Sequence, residues 1–448
     1  MATLTQEPNK WNLAYVPNVY VLDTLGAADR YVLQVLINGV AIATFNQTAN
    51  PAGVGQFDIS KVLQSYMNPT FVETTAEFAS TPHASVAYQV RYGSDTNGII
   101  TFDGTTSLRF ALNGYDNWRV LNWDYTNHIP EPTSWICEGE VPVPNAIYSK
   151  GYEFLTNYPL ATRKVRSNEY NTLSFFNQIF NWDDGTMWGP NESPFFVSYD
   201  FYSSAGALIS RQIYTITSLL GLGTRVDCND NSSSVGTQDD VIGTIGSGVQ
   251  NLKDALIWHA GAARYTITLW SKDVCALPSI IDDCEDFATL EDYLGYPIYT
   301  YSYQVEDPCT PFEPVTVSFV NQYGVKDYYC FDRRNRRLIN TERNNYTRAN
   351  GTFSSSTFSI DENGRGETTF SSGISTQMTL STYWMEDSES KWLQELFTSP
   401  SIQIYVDGQW EPCVLESSQY DEKTFKRDLM FQHEITVKYS NSKKVQRG

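Results

Sequence analysis

Histidine is scarce in this chain, with four in 448 residues, at positions 83, 128, 259 and 433, and none falls in an HxH or HExxH spacing. So thin a supply leaves little for acid–base or metal work, and a metallohydrolase is not expected. No GxSxG, GxxxxGKS/T or GxGxxG motif opens a helix after a strand, so hydrolase elbows, P-loops and dinucleotide sites lack support. Gly221-Leu222-Gly223 is only a turn candidate. The cysteines, at 137, 228, 275, 284, 309, 330 and 413, are scattered and form no CxxC pair, which argues against a zinc ribbon or a disulfide framework. Reduced thiols are expected, with Cys275 and Cys284 as one pair that a hairpin could bridge. The opening MATLTQEPNKW has no basic segment followed by an apolar one, and no window approaches 18 apolar residues. Neither a secretory leader nor a membrane-spanning segment is therefore expected.

What is present is acid and aromatic. The formal net charge is −20, yet hydrophobic residues make up 41% and aromatic residues 14%, which points to folded, acidic domains rather than disorder. Tyr (29) and Trp (11) are plentiful. That suits strands, and it suits equally a large interface where a ring carries a polar edge. The length exceeds one core, and three consecutive domains are expected: 1–114, 115–310 and 311–448.

Alternation and turn signals set the fold class. Tyr31 to Ile37, Asn38-Gly39 and Val40 to Phe45 read as a hairpin, and a short helix from Asp58 carries Ile59, Val62, Leu63 and Tyr66 before Asn68-Pro69 ends it. Strands follow at Ser85 to Tyr92 and Gly98 to Phe102. Tyr115 to Pro159, with Pro130, Pro132, Pro142 and Pro144, reads as a connector. Next come strands at Thr172 to Phe180, a hairpin from Phe195 to Thr217 turning at Ala205-Gly206, and a strand at Ala263 to Trp270. Cys228 to Gln250, rich in Ser, Gly and Asp, reads as a long exposed loop. Near the C-terminal end, Asp387 or Ser388 caps a helix with Trp392, Leu393, Leu396 and Phe397 on one face and Pro400 as its stop. Ile402, Ile404 and Val406 alternate into Asp407-Gly408, a second hairpin signal. From Leu429 the apolar residues Phe431, Ile435, Val437 and Tyr439 share one strand face with His433, which reads as a half-buried residue bonded to a neighbour. The expectation is an all-β protein of antiparallel, sandwich-like domains with small inserted helices.

Charge is segregated. Between Asp227 and Asp307 lie 14 acids against Lys253, Arg264 and Lys272, whereas Tyr323 to Arg348 holds Lys326 and six arginines against Asp327, Asp332 and Glu342. Arg333, Arg334, Arg336 and Arg337 are the candidate interface residues, pairing with carboxylates of another copy or another protein; a solvated basic turn is the plainer alternative. A chain this acidic is repelled by nucleic acid, so none is expected as a partner. The run Asp282-Asp283-Cys284-Glu285-Asp286 lacks the spacing of a calcium loop and reads as solvated. No catalytic, cofactor-binding or metal residue is expected.

Five stretches resemble segments of structural proteins from tailed bacteriophages of Bacteroidetes, crAss-like phages included. They are Phe57-Asp58-Ile59-Ser60 through Met67-Asn68-Pro69, Phe154 to Pro159 (FLTNYP), Val317 to Phe331 (VSFVNQYGVKDYYCF), Trp392 to Pro400 (WLQELFTSP), and Gln432 to Gly448 with its closing Gln446-Arg447-Gly448. The resemblance implies a non-enzymatic virion component built of β-domains and working in many copies; the expectation is that it is assembled in the host cytoplasm into the tail, collar or neck ring, or baseplate, with itself and other virion proteins as partners. A second expectation is a receptor- or carbohydrate-binding appendage, in which Trp182 and Trp188, beside Asp183-Asp184-Gly185, stack on host glycans. A glycan-cleaving enzyme would need a carboxylate pair whose separation is spatial and cannot be read from spacing.

Overall fold

The computed structural model describes residues 2–24, 30–71, 78–81, 83–116, 119–128, 152–176, 196–216, 242–272, 294–307, 311–347, 349–360, 366–416 and 430–441, with the short pieces 137–138, 141–142, 180–181, 186–187, 194, 362–363 and 443–444. The chain is all-β, with three short helices among the described residues; its described strands pair antiparallel except that Trp11–Leu13 joins Arg109–Leu112, and Thr162–Val165 joins Leu294–Val305, in parallel. It divides into two compact units. The first comprises residues 1–307 together with Val320–Tyr328, and the second Pro308–Phe319 together with Tyr329–Gly448.

The first unit begins with two sheets. Ala2–Gln6, Val19–Thr24 and Gly55–Asp58 form one, and Trp11–Leu13, Arg109–Leu112, Ser85–Thr96, Arg30–Ile37 and Val40–Gln47 lie in order in the other, with Ile99–Thr105 beside Ser85–Thr96. Tyr20, Leu22 and Phe57 of the first meet Tyr31, Leu33, Val35, Tyr88 and Val90 of the second in a single core. Asn38 and Gly39 both take positive φ, 52° and 74°, which is what a two-residue turn between right-twisted strands requires. The helix expected from Asp58 is only Ser60–Gln64; Ile59 and Leu63 are buried, whereas Tyr66 is exposed. Asp58 still organises its start, since its Oδ1 accepts from Ser60 N at 2.9 Å and Asn18 N at 3.2 Å.

A second pair of sheets continues the same unit. Thr162–Val165, Leu294–Val305, Arg264–Lys272, Phe196–Tyr202 and Leu208–Thr215 lie in order, and Thr172–Phe176, Ile242–Gly246 and Phe78–Ser80 form the other sheet. Phe78–Ser80 therefore puts residues from before and after position 115 into one sheet. The shared core holds Leu173, Phe175, Ile245, Tyr199, Phe201, Tyr265, Ile267 and Tyr299. Among the described residues eight tyrosines are almost wholly buried, so much of the tyrosine content serves as core, each ring adding apolar area.

One expectation is corrected here. Of the stretch Cys228 to Gln250 read as an exposed loop, 228–241 lies outside the described residues, but Ile242–Gly246 is a buried strand and Val249–Asp254 a short helix. Small polar residues suit this place because they satisfy one another: Thr244 Oγ1 lies 3.0 Å from Thr81 Oγ1 and 2.9 Å from Ser174 Oγ. A Cβ on Gly248 would meet Asn171 N and Glu169 O at 2.4 Å, so the close approach needs glycine.

His128 sits in the aromatic part of this unit, stacked on Trp123 at 5.6 Å and against Tyr323 at 4.9 Å, with Nδ1 donating to the Glu153 carbonyl at 3.1 Å. Burial lowers its pKa, the Glu153 contacts notwithstanding. On acidification through the ordinary His value of about 6.5 the unfolded chain takes up the proton first, so this group costs stability as pH falls. Urea midpoints at about pH 7.5 and about pH 5.5 should converge in His128→Gln relative to the wild type; an unchanged difference would remove His128 from the account.

Most of the second unit is one eight-stranded sheet, in the order Lys326–Phe331, Val315–Val320, Ile402–Val406, Gln409–Leu415, Glu434–Tyr439, Glu367–Ser381, Asn335–Thr347, with Lys443–Lys444 also beside Glu367–Ser381; Val320 and residues 326–328 of its first two strands are counted with the first unit. The helix Asp387–Thr398 covers it with Trp392, Leu393 and Leu396 buried. Its cap differs from expectation: Glu386, not Asp387 or Ser388, is the capping residue, and with Glu389 it forms a reciprocal capping box. Glutamate reaches the same amides as aspartate with one more carbon, and Asp387 instead pairs with Lys391 at 2.7 Å. His433 is half-buried, its Nε2 2.8 Å from Ser390 Oγ, as expected of a strand residue bonded to a neighbour.

Candidate functional site

The four arginines flank and begin the strand Asn335–Thr347, and all four are exposed. Arg333 Nε lies 3.8 Å from Asp332 Oδ1, and Arg337 Nη1 lies 3.4 Å from Asp407 Oδ2, with its guanidinium 5.6 Å from the Tyr439 ring. Burial raises the Tyr439 phenol pKa and the Arg337 charge opposes that rise. Arg334 and Arg336 make no ion pair among the described residues. The structure does not gather the four on one face. Successive strand residues point to opposite sides, so Arg336 and Arg337 diverge.

What they begin is a strand exposed along nearly its whole length. Asn335–Thr347 pairs antiparallel with Glu367–Ser381 along its whole length, and the small hairpin Gly351–Ser354 with Thr357–Ile360 lies between the two strands in the chain. Thirteen residues at about 3.4 Å each make a ribbon roughly 40 Å long. Only at its base does one face enter the core, through Met378 and Leu380, which pair with Val437 and Ile435. Further along, Leu338, Ile339, Tyr346, Phe353, Phe358, Ile360 and Phe370 are exposed. Phe353 and Phe358 contact each other at 4.7 Å, and Tyr346 and Phe370 at 6.3 Å, so the apolar groups are clustered rather than scattered. Phe353 is 85% exposed. These clusters lie on an extended ribbon and are not covered by the chain's own core.

The acidic region read as a complementary face is only partly described, since residues 217–241 and 273–293 lie outside. The described acids have internal partners: Glu306 pairs with Lys164 at 3.1 Å, Asp307 accepts from Ser167 N at 2.9 Å, and Asp254 from Tyr170 OH at 2.9 Å. The run Asp282 to Asp286, the pair Cys275 and Cys284, and the tryptophans Trp182 and Trp188 lie outside the described residues. Among the described residues no group of three His, Cys, Asp or Glu converges as a metal site, and no helix is long and apolar enough to cross a membrane. Sequence reasoning found the arginines but missed the ribbon. Its signal was the paired, proline-free runs Asn335–Thr347 and Glu367–Ser381, rich in Thr, Ser and Asn with few large apolar groups.

No protein-family model matches the sequence, and no curated protein matches it.

Proposed function

We propose that the chain is a non-enzymatic structural subunit of a bacteriophage virion, assembled in the host cytoplasm in several copies in the tail, collar or neck ring, or baseplate. In this reading the ribbon docks on neighbouring virion proteins. One observation carries the docking role: a long two-stranded ribbon that spends little of its surface on its own core and clusters exposed aromatics at Phe353 and Phe358. The virion assignment rests on the resemblance of the five segments named above. The appendage reading depends on Trp182 and Trp188, and no described contact favours it.

The test is incorporation. Phe353→Asp combined with Phe358→Asp should weaken docking on the order of 30-fold or more, because two exposed aromatic anchors are lost, and particles should lack the variant. Its melting temperature should match the wild type, since neither ring supports the core. Incorporation at the wild-type level would refute the ribbon's role, and absence of the wild-type protein from purified particles would refute the virion reading.

A further inference from the structure

Asn335–Thr347 is the last strand of its sheet. It pairs with Glu367–Ser381 on one side, and among the described residues no strand pairs with its other side. An edge of this length offers a row of backbone N–H and C=O groups to an incoming strand. Proteins commonly blunt such edges with proline or a bulge. Here the edge strand has no proline, and the bulge lies on its inner neighbour, where Phe370 is the extra residue between Thr369 and Ser371.

We infer that a second copy of the chain occupies this edge. The two strands run antiparallel about a two-fold axis, Ile339 faces its counterpart, and Arg336 of each copy lies opposite Glu342 of the other. This deepens the proposed function, on which it rests, by naming a partner for the ribbon.

The charges select that register. A two-fold normal to the sheet keeps each face with itself, so the pairing is centred on one residue. Centring on Arg336, Arg337 or Arg343 stacks an arginine on its own copy, and centring on Glu342 does the same for the glutamate. Centring on Asn340 sets Arg337 against Arg343, and centring on Leu338 sets Arg333 against Arg343. Centring on Thr341 pairs the most residues but leaves Glu342 opposite Asn340. Within the strand, only Ile339 brings opposite charges together twice without stacking like ones. Arg336 and Glu342 share a face, both are exposed, and neither has an ion pair among the described residues. Ile339, 59% exposed in the single chain, becomes covered by its twin. The other edge strand, Lys326–Phe331, has most of its side chains buried, which disfavours a head-to-tail pairing with it.

Sedimentation velocity of the full chain over a concentration series tests the idea. The wild type should show a monomer–dimer equilibrium. Arg336→Glu or Glu342→Arg alone turns two attractive pairs into two repulsive ones and should weaken the dimer on the order of 10- to 100-fold. Arg336→Glu with Glu342→Arg restores complementarity within a pure sample and should dimerise like the wild type. The same double variant, fluorescently labelled and mixed with wild type, should form few mixed dimers, because arginine then faces arginine and glutamate faces glutamate. Far-UV circular dichroism checks that each variant is folded. A wild type that stays monomeric, or four samples that associate equally, would overturn the inference. Either result leaves the virion reading to be decided by incorporation into particles.

Discussion

Asp327→Ala should lower the stability of the first unit by about 3–5 kcal/mol, because it strips a buried arginine of its counter-charge. Arg163 and Asp327 are both almost fully buried, with Nη1 and Oδ1 3.9 Å apart. The Asp327 carboxylate also accepts from Thr156 Oγ1 at 3.0 Å and from Asn321 Nδ2 at 3.1 Å, so the substitution leaves those donors short of an acceptor as well. Arg163 donates to the Tyr328 carbonyl and lies 4.9 Å from the Tyr158 ring. Burial alone would pull the Arg163 pKa down, but Tyr301, Asp327, Tyr303 and Glu169 together outweigh it, so the guanidinium keeps its charge. Replacing both partners, Arg163→Met with Asp327→Leu, should recover most of the loss, since no unpaired charge remains. Guanidinium denaturation of the wild type, Arg163→Met, Asp327→Leu and the double variant gives the coupling directly. A loss below about 1 kcal/mol in Asp327→Ala would mean that Glu169 or water compensates the arginine.

Trp392→Ala should cost a similar amount, about 3–5 kcal/mol, in the second unit. The indole is 3% exposed and touches Phe319 at 5.6 Å and Tyr329 at 6.2 Å between ring centres. Truncation leaves a cavity between helix and sheet that these rigid rings fill poorly. Domains are commonly stable by only about 5–15 kcal/mol, so the loss is a large fraction of the total. Two separate melting transitions in the wild type, with only one moved by Trp392→Ala, would assign the effect to the second unit. An unchanged melting profile would contradict the packing of Trp392. The comparison with Phe353 is instructive: one aromatic holds the unit together, whereas the other should be removable without thermal effect.

These contrasts explain what could be read from the residues. Asn38-Gly39, Ala205-Gly206 and Asp407-Gly408 all turn hairpins, and the glycine of each has φ between 74° and 82°, because so few residues tolerate that region. The helix Asp387–Thr398 was legible because Trp392, Leu393 and Leu396 recur on one side. Its cap was not, because Glu386, Asp387 and Ser388 each offer an oxygen. Ile242–Gly246 was hidden by composition, its burial resting on hydroxyl groups that meet in space and not in sequence. The ribbon was hidden for the opposite reason: water faces both sides of Asn335–Thr347, so no apolar alternation marks it, and only the length of the basic stretch was visible. The arginines were found by charge, but which of them share a face depends on strand register, which required the pairing with Glu367–Ser381.

The first unit draws a segment from far along the chain. Val320–Tyr328 supplies Tyr323 and Val325 to a core that also holds Trp11, Phe110, Trp123 and Phe176, and it brings Asp327 to Arg163. During synthesis, a nascent chain that has emerged only as far as residue 307 has an incomplete aromatic core and an uncompensated arginine. The usual order, in which the N-terminal body closes before later residues leave the ribosome, cannot finish here. Its completion waits for residue 328, by which time synthesis of the second unit has begun, and that interval is when apolar surface is exposed to chaperones or to other nascent copies.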